Sequence, residues 1–217
     1  MKKLGIIALC VFLACSVFVG CKKDNQSSSS GIMGVSEDSP IKVDKNEKTV
    51  TIYATFNGKY EFEATRHFAI YKDGKIADMA MFKSYVSPED FYNALKEIGA
   101  TPGDNMTAEN AATTLSEGSD LDVNIYWDGN KDGIDIDEFL LDSNKKDIDI
   151  KFSGNLDGAK EYETGCITCL DSCFVGITSN STYPLGAIEE TKEVEFKVND
   201  NKIPEDKQGV AIVYKLD

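Results

Sequence analysis

Three cysteines packed into one short stretch constrain this chain more than any other feature. Cys166, Cys169 and Cys173 lie in Gly165-Cys-Ile-Thr-Cys-Leu-Asp-Ser-Cys-Phe-Val-Gly176. The other three, Cys10, Cys15 and Cys21, fall in or at the end of an apolar N-terminal run. The folded part therefore carries an odd set of thiols, which cannot all pair internally. Any fold must wrap this stretch as a staple, a metal site or a redox centre, because the thiolate is both nucleophile and metal ligand.

The spacing Cys-x2-Cys-x3-Cys matches the last three cysteines of a bacterial iron–sulfur run, C-x2-C-x2-C-x3-C-P. Glu163 stands where the first cysteine belongs, and Phe174 stands where the proline belongs. A four-iron cluster would need Glu163, the lone His67, solvent or a partner protein at its fourth corner. A tetrahedral zinc site has the same shortage, with His67 its natural fourth ligand if the fold brings it near. Cys-x2-Cys also suits thiol–disulfide exchange, one thiolate attacking and the other resolving. A plain disulfide from Cys166 or Cys169 to Cys173, with one spare thiol, is the structural alternative. The staple or redox reading and the metal reading stand level; on the metal reading the expected ligands are Cys166, Cys169 and Cys173, and the expected cofactor is an iron–sulfur cluster or zinc.

The N-terminus reads as an export signal over residues 1–20. Lys2 and Lys3 form a positive head, and Leu4 to Gly20 is apolar or small apart from Ser16. Phe18-Val19-Gly20-Cys21 resembles the lipobox of bacterial lipoproteins, although Phe18 departs from the usual leucine. Cys21 is the expected lipidation site, and Cys15 is a weaker second candidate. Residues 21–44 read as a flexible tether, because Lys22 to Gly31 is polar and serine-rich. These features place the chain at the cell membrane, lipid-anchored on the extracytoplasmic face. With no twin arginine, export proceeds unfolded, which argues against a cluster built in the cytoplasm.

The formal net charge is −14, from 37 acidic and 23 basic residues. Such a surface repels phosphate backbones, so nucleic acid is excluded as a partner. The membrane, through its lipid anchor, is the expected partner; a protein or redox partner is not identified. His67 is the only histidine, which removes most histidine-dependent triads. No nucleophile–base set is identifiable, and the reading leans away from an enzyme.

Along the chain, Thr49 to Phe56 alternates as a half-buried strand. Asn57-Gly58 is a hairpin dipeptide leading into a returning strand over Tyr60 to Ala64. His67 to Tyr71 is another strand. Ser87 is the expected N-cap of the main helix, with Pro88 at its first position and Asp90 three residues on. Phe91, Ala94, Leu95 and Ile98 form its buried stripe. Thr107 to Leu115 is a short second helix. Further strands are expected at Leu121–Trp127, Ile134–Leu141, Ile148–Phe152, Val194–Val198 and Val210–Tyr214. The class is α+β, mostly antiparallel, with about seven to nine strands and one main helix over about 88–98. Residues 45–217 form one domain, with a cysteine loop over 165–180.

Asp128-Gly-Asn130-Lys-Asp132-Gly133 begins like a calcium loop, but its twelfth position is Phe139 where a glutamate belongs. A polar turn between two strands is the preferred reading.

Arg66 to Ile70, Tyr85 to Gly103 and Gly165 to Asn180 together resemble the YdjY-type domain of bacterial proteins, over roughly residues 45–185. The resemblance implies one integrated domain of ferredoxin-like, iron–sulfur label, with Cys166, Cys169 and Cys173 as its focus. The rival is a non-catalytic surface or scaffold lipoprotein with a structural disulfide and a spare thiol.

Overall fold

The computed structural model describes residues 31–217, so Cys21 and the expected signal lie outside the described residues. The described chain is built on a wide, mixed sheet. Its spine is β2 (Thr49–Phe56), whose alternating pattern buries Val50, Ile52, Ala54 and Phe56. β2 pairs antiparallel with β1 (Ile41–Asp44), with β12 (Gly209–Leu216) and with β4 (Phe82–Ser84). β1 lies inside the stretch expected to be tether. Ile41 and Val43 pack against the core, and Val35 is buried, so the ordered fold starts before residue 45.

The hairpin expected after β2 does not form. Asn57 instead accepts a hydrogen bond from the Lys59 amide and caps a 3-10 turn over Gly58–Glu61. That turn buries Tyr60, and no strand follows over Glu61 to Ala64. A capped turn satisfies these amides locally, so they need no strand partner.

On one side of β2, β12 pairs with β5 (Leu121–Trp127), which pairs with β6 (Asn130–Asp135). The expected polar turn is shorter than Asp128–Gly133: Asp128 and Gly129 make the turn of that hairpin, and Asn130 to Gly133 already belong to β6. Phe139 is fully buried against Phe82, with ring centroids 5.6 Å apart, and offers no ligand to the turn. The strand expected over Ile134–Leu141 is broken. Asp135 caps the Asp137 amide and starts a helical turn, α2 (Ile136–Phe139), before β7 (Leu140–Asp142). β7 pairs with β11 (Phe196–Val198) in a separate two-stranded sheet.

On the other side, β4 is followed in the sheet by β3 (His67–Tyr71), β9 (Cys166–Cys169), β10 (Thr178–Asn180) and β8 (Ile150–Lys151). β3 runs parallel to β4, and β9 runs parallel to β10. The α+β class stands, but the sheet is mixed where a mostly antiparallel one was expected, and it holds more strands. The physical reason lies in the connections. β3 and β4 are joined through residues 72–81, and β9 and β10 through residues 170–177. Strands this short allow a loop to travel back along their length and enter parallel.

The main helix, α1 (Pro88–Glu97), forms as its sequence dictates. The Ser87 hydroxyl accepts from the Asp90 amide at 3.1 Å and donates to the Asp90 carboxylate at 2.7 Å. Pro88 needs no partner at the first position. Phe91, Ala94 and Leu95 face the sheet, where Phe91 packs edge-on against Tyr214 at 4.7 Å. Burying one such side chain contributes about 1.5–3 kcal/mol. The second helix expected over Thr107–Leu115 is absent; that segment makes turns, with Thr107 and Asn110 bonding to each other's backbone and so competing with helix. The remaining helix, α3 (Leu156–Tyr162), lies just before β9.

Candidate metal centre

The site is built where β3, β9 and β10 lie side by side. His67 stands opposite Cys169 across the β3–β9 ladder, and Ser179 stands opposite Cys169 across the β9–β10 ladder. Paired residues on neighbouring strands share a face. One row therefore runs His67, Cys169, Ser179 across three strands.

Strict alternation would put Cys166 and Cys169 on opposite faces of β9. The register between β3 and β9 shifts at His67/Ala69 and again at Ala69/Ile70. This irregularity gives both strands the same odd pattern. Ile167 faces the main core, and Thr168 reaches Tyr214 on that side, while Cys166 and Cys169 both face a smaller second core with Ile70, Ala77, Ala80 and Val175. A bulge adds a residue and turns the next side chain over. Here it brings two cysteines three residues apart onto one face. The stretch expected as a loop is thus a short strand, a connection and a second strand.

A ring nitrogen of His67 and the sulfurs of Cys166 and Cys169 all lie within 4.8 Å of one another. All three residues are buried, Cys169 completely. Cys173 belongs to the same small core, and its thiol meets that of Cys169, outside the set of three. Cys166, Cys169 and Cys173 are free thiols. This buried His/Cys/Cys set can hold a metal ion, because imidazole and thiolate are the donors that zinc and related ions take. Glu163, the other residue considered for the fourth corner, is exposed and paired with Lys75 at 2.6 Å. It stands outside the site.

The electrostatics separate the sulfurs. The Cys169 thiol, bonding to the Cys166 sulfur, holds Cys166 well below the usual thiol range; burial opposes this, and His67 and Thr164 reinforce it. Cys169 is pushed well above that range by Cys166 first, then by Cys173 and by complete burial. The two neighbouring thiols are thus driven apart, Cys166 toward the thiolate and Cys169 toward the neutral thiol.

Two buried polar atoms at the site lack partners. His67 Nδ1 and Ser179 Oγ make no hydrogen bond. Buried polar groups are normally paired, so such atoms call for an explanation. His67 is otherwise fixed by its backbone, whose amide donates to Thr65 Oγ1 at 3.0 Å.

The loop between β9 and β10 is held by buried side chains. Asn155 donates to the carbonyls of Cys173 and Gly176 at 2.8 and 3.3 Å. Asn180 donates to the Leu170 carbonyl at 3.1 Å. The loop passes close at Gly176: a β-carbon there would lie 3.2 Å from Cys169 Sγ and 3.0 Å from Ser179 Oγ, so the neighbours would have to give by a few tenths of an ångström. Beneath the loop, Arg66 donates from Nη2 and Nε to Asp171 Oδ1, at 2.6 and 3.2 Å, and the Gly186 amide donates to Oδ2 at 3.1 Å. Both oxygens act as acceptors, the pattern of a carboxylate. Burial works against the charged guanidinium, yet Asp171 and then the sulfurs of Cys169 and Cys173 keep Arg66 above its ordinary range.

A cleft of about 630 Å³ opens beyond Phe174, lined by Tyr92, Tyr162, Asp104, Asp157 and Glu161. It contains none of the cluster's ligand atoms.

Sequence reasoning named Cys166, Cys169 and Cys173, with His67 conditional on the fold; the close donor set holds His67, Cys166 and Cys169, and Cys173 lies outside it. Sequence reasoning missed Ser179, Arg66 and Asp171. The strand pairing that brings these together is not a property of any one segment. The described residues include no helix long and apolar enough to cross a membrane.

Comparison with known proteins places this architecture. The YdjY domain matches residues 41–215, which spans β1 to β12 and the whole of the cluster. A protein of Escherichia coli (strain K12) named "Uncharacterized protein YdjY" is 42% identical over 215 residues, covering 99% of this chain and 95% of that protein. No solved structure matches. The chain belongs to the YdjY domain family.

Proposed function

We propose that this is a lipid-anchored, extracytoplasmic metal protein, in which His67, Cys166 and Cys169 ligate a single transition-metal ion and Cys173 completes the set. One observation carries the reading: three donor atoms lie within 4.8 Å in a buried pocket, with His67 Nδ1 left unbonded. Around one zinc ion, with bonds of about 2.3 Å, sulfurs stand about 3.7 Å apart. Donors this close suit one ion. A four-iron cluster sets each sulfur on a separate iron and spreads them further. Zinc, or iron in the same tetrahedral site, is the expected metal.

An exported protein normally pairs its cysteines. Coordination explains how three thiols persist in such a compartment, because a metal-bound thiolate is withheld from oxidation. Thiol exchange is the second reading, favoured by the contacts that hold Cys166 below the usual thiol range and so raise its acidity. Exchange with a protein needs an accessible thiolate, and Cys166, Cys169 and Cys173 are 1%, 0% and 2% exposed.

The test is elemental analysis with thiol counting on the full chain purified without oxygen. The expected result is stoichiometric zinc or iron, lost in Cys169→Ser. Metal-free protein with one titratable thiol would establish the disulfide alternative. The anchor is tested separately by intact mass: the membrane fraction should contain a chain starting at Cys21 with a diacylglyceryl adduct. An unmodified soluble chain overturns that part.

A further inference from the structure

The row across β3, β9 and β10 contains a third member that neither a simple ligand set nor the packing explains. Ser179 is completely buried, yet its hydroxyl has no hydrogen-bond partner. Its strand position is opposite Cys169, on the side away from His67. Its oxygen and the Cys169 sulfur converge on the small space over Gly176 that a β-carbon would fill, 3.0 and 3.2 Å from that point. The neighbouring buried hydroxyl groups are used differently. Thr168 bonds to Thr178 and Tyr214, and Ser172 accepts from the Ser116 amide. Ser179 alone of the β9 and β10 hydroxyl groups faces a sulfur with nothing bonded to it.

A thiol is a weak acceptor, whereas a metal-bound thiolate carries negative charge and accepts strongly. We propose that Ser179 is a positioning residue, whose hydroxyl donates a hydrogen bond to the Cys169 sulfur when that sulfur binds metal. The inference rests on the metal reading above. It explains why a buried hydroxyl is kept unbonded: its partner exists only in the loaded site. Removing such an outer contact to a metal ligand costs about 10- to 100-fold in affinity. The bond also draws electron density from sulfur, so it raises the energy of sulfur-to-metal charge transfer.

The experiment uses cobalt(II) as the probe, titrated into the reduced full chain without oxygen. Wild-type protein should show an intense thiolate-to-cobalt band. Ser179→Ala should weaken cobalt binding by about 10- to 100-fold and move the band to longer wavelength. Ser179→Thr, which keeps the hydroxyl, should retain the wild-type band. Metal-free Ser179→Ala should melt no lower than metal-free wild type, because it loses only an unbonded hydroxyl. A purely structural serine would give the reverse: a less stable metal-free protein and an unmoved band. That result, or equal affinity in Ser179→Ala and wild type, overturns the role of Ser179 while leaving the metal site intact. No thiolate band in wild-type protein overturns the metal reading itself, and this inference with it.

Discussion

The Arg66 guanidinium and the Asp171 carboxylate form an ion pair directly beneath the cysteine site, Nη2 to Oδ1 at 2.6 Å, with Asp171 fully buried and the Arg66 side chain 15% exposed. The pair links the start of β3 to the loop that carries Cys173. The Arg66 carbonyl also accepts from the Leu170 amide at 2.8 Å, so backbone and side chain clamp the same turn. Breaking such a pair strands a charge out of water and costs about 3–5 kcal/mol, whereas replacing both partners with apolar groups is often neutral. Arg66→Ala should therefore lower the urea midpoint by that measure, and Arg66→Met with Asp171→Leu should recover most of it. A double variant as unstable as the single one would show that the hydrogen bond to Gly186, not the charge, holds the loop.

Ser87 caps α1 through the Asp90 amide, and the helix carries Phe91 and Leu95 into the core. Ser87→Ala should cost about 1 kcal/mol, and Ser87→Asn much less. Urea titration reads the difference. An unchanged midpoint in Ser87→Ala would mean that Pro88 and the tertiary contacts fix the helix start unaided.

Away from the site, Asp137 gives the chain a pH-dependent element. Its carboxylate accepts from the Ile148 amide at 2.7 Å, yet burial raises its pKa, the Ile148 bond opposes this, and Asp135, Asp147 and Asp142 add to the rise. A carboxyl group raised in the folded state binds its proton more tightly there than in the unfolded chain. Its stabilisation is complete below the ordinary carboxylate pKa and is lost as pH rises through the raised value. Asp137→Asn keeps an acceptor for Ile148 and removes the charge. Its stability should fall less than that of wild type as pH climbs from about 4 to neutrality. Parallel melting curves for the two proteins across that range would show that Asp137 contributes nothing.

The parts of the fold that were legible in sequence are those fixed locally. The α1 cap, the β5–β6 turn and the apolar alternation of β2 and β5 each depend on a few adjacent residues. The failures share a cause. Asn57-Gly58 is a good hairpin dipeptide, but Asn57 is equally a good cap, and burial of Tyr60 decided between them. Alternation across Cys166–Cys169 would separate the two sulfurs, and only the irregular pairing with β3 unites them. His67 was readable as a strand residue, but nothing in its own segment says that β9 lies beside it. Ser179 and Asp171 carry no motif; their meaning comes from which strands and loops meet.

The Asp128–Gly133 turn should bind calcium weakly or not at all. Asp128 and Gly129 turn β5 into β6, Asn130 to Gly133 are held in β6, and Phe139 in the twelfth position is buried in an aromatic cluster with Phe82 and Trp127. Calorimetry should detect no micromolar calcium affinity. Such affinity, if lost in Asp132→Ala, would contradict the turn reading.

The metal reading makes a stability prediction that separates ligand from packing. An ion that binds only the folded chain stabilises it by an amount set by its free concentration, about 4 kcal/mol at a thousand times the dissociation constant. For a chain of this size that raises Tm by roughly 8–16 °C. The melting temperature of the reduced full chain should therefore climb with added zinc and fall with a chelator. Cys169→Ser should abolish the response. His67→Phe is the sharper variant, because it keeps a ring of similar volume and removes the nitrogens. The substitution takes away the unbonded Nδ1 and also the His67 contact to the Cys166 sulfur, so the zinc-dependent gain is read against the metal-free stability of the same variant. That gain should shrink sharply. Were His67 a packing residue only, His67→Phe would respond to zinc as wild type does, and the ligand set would be reduced to the sulfurs.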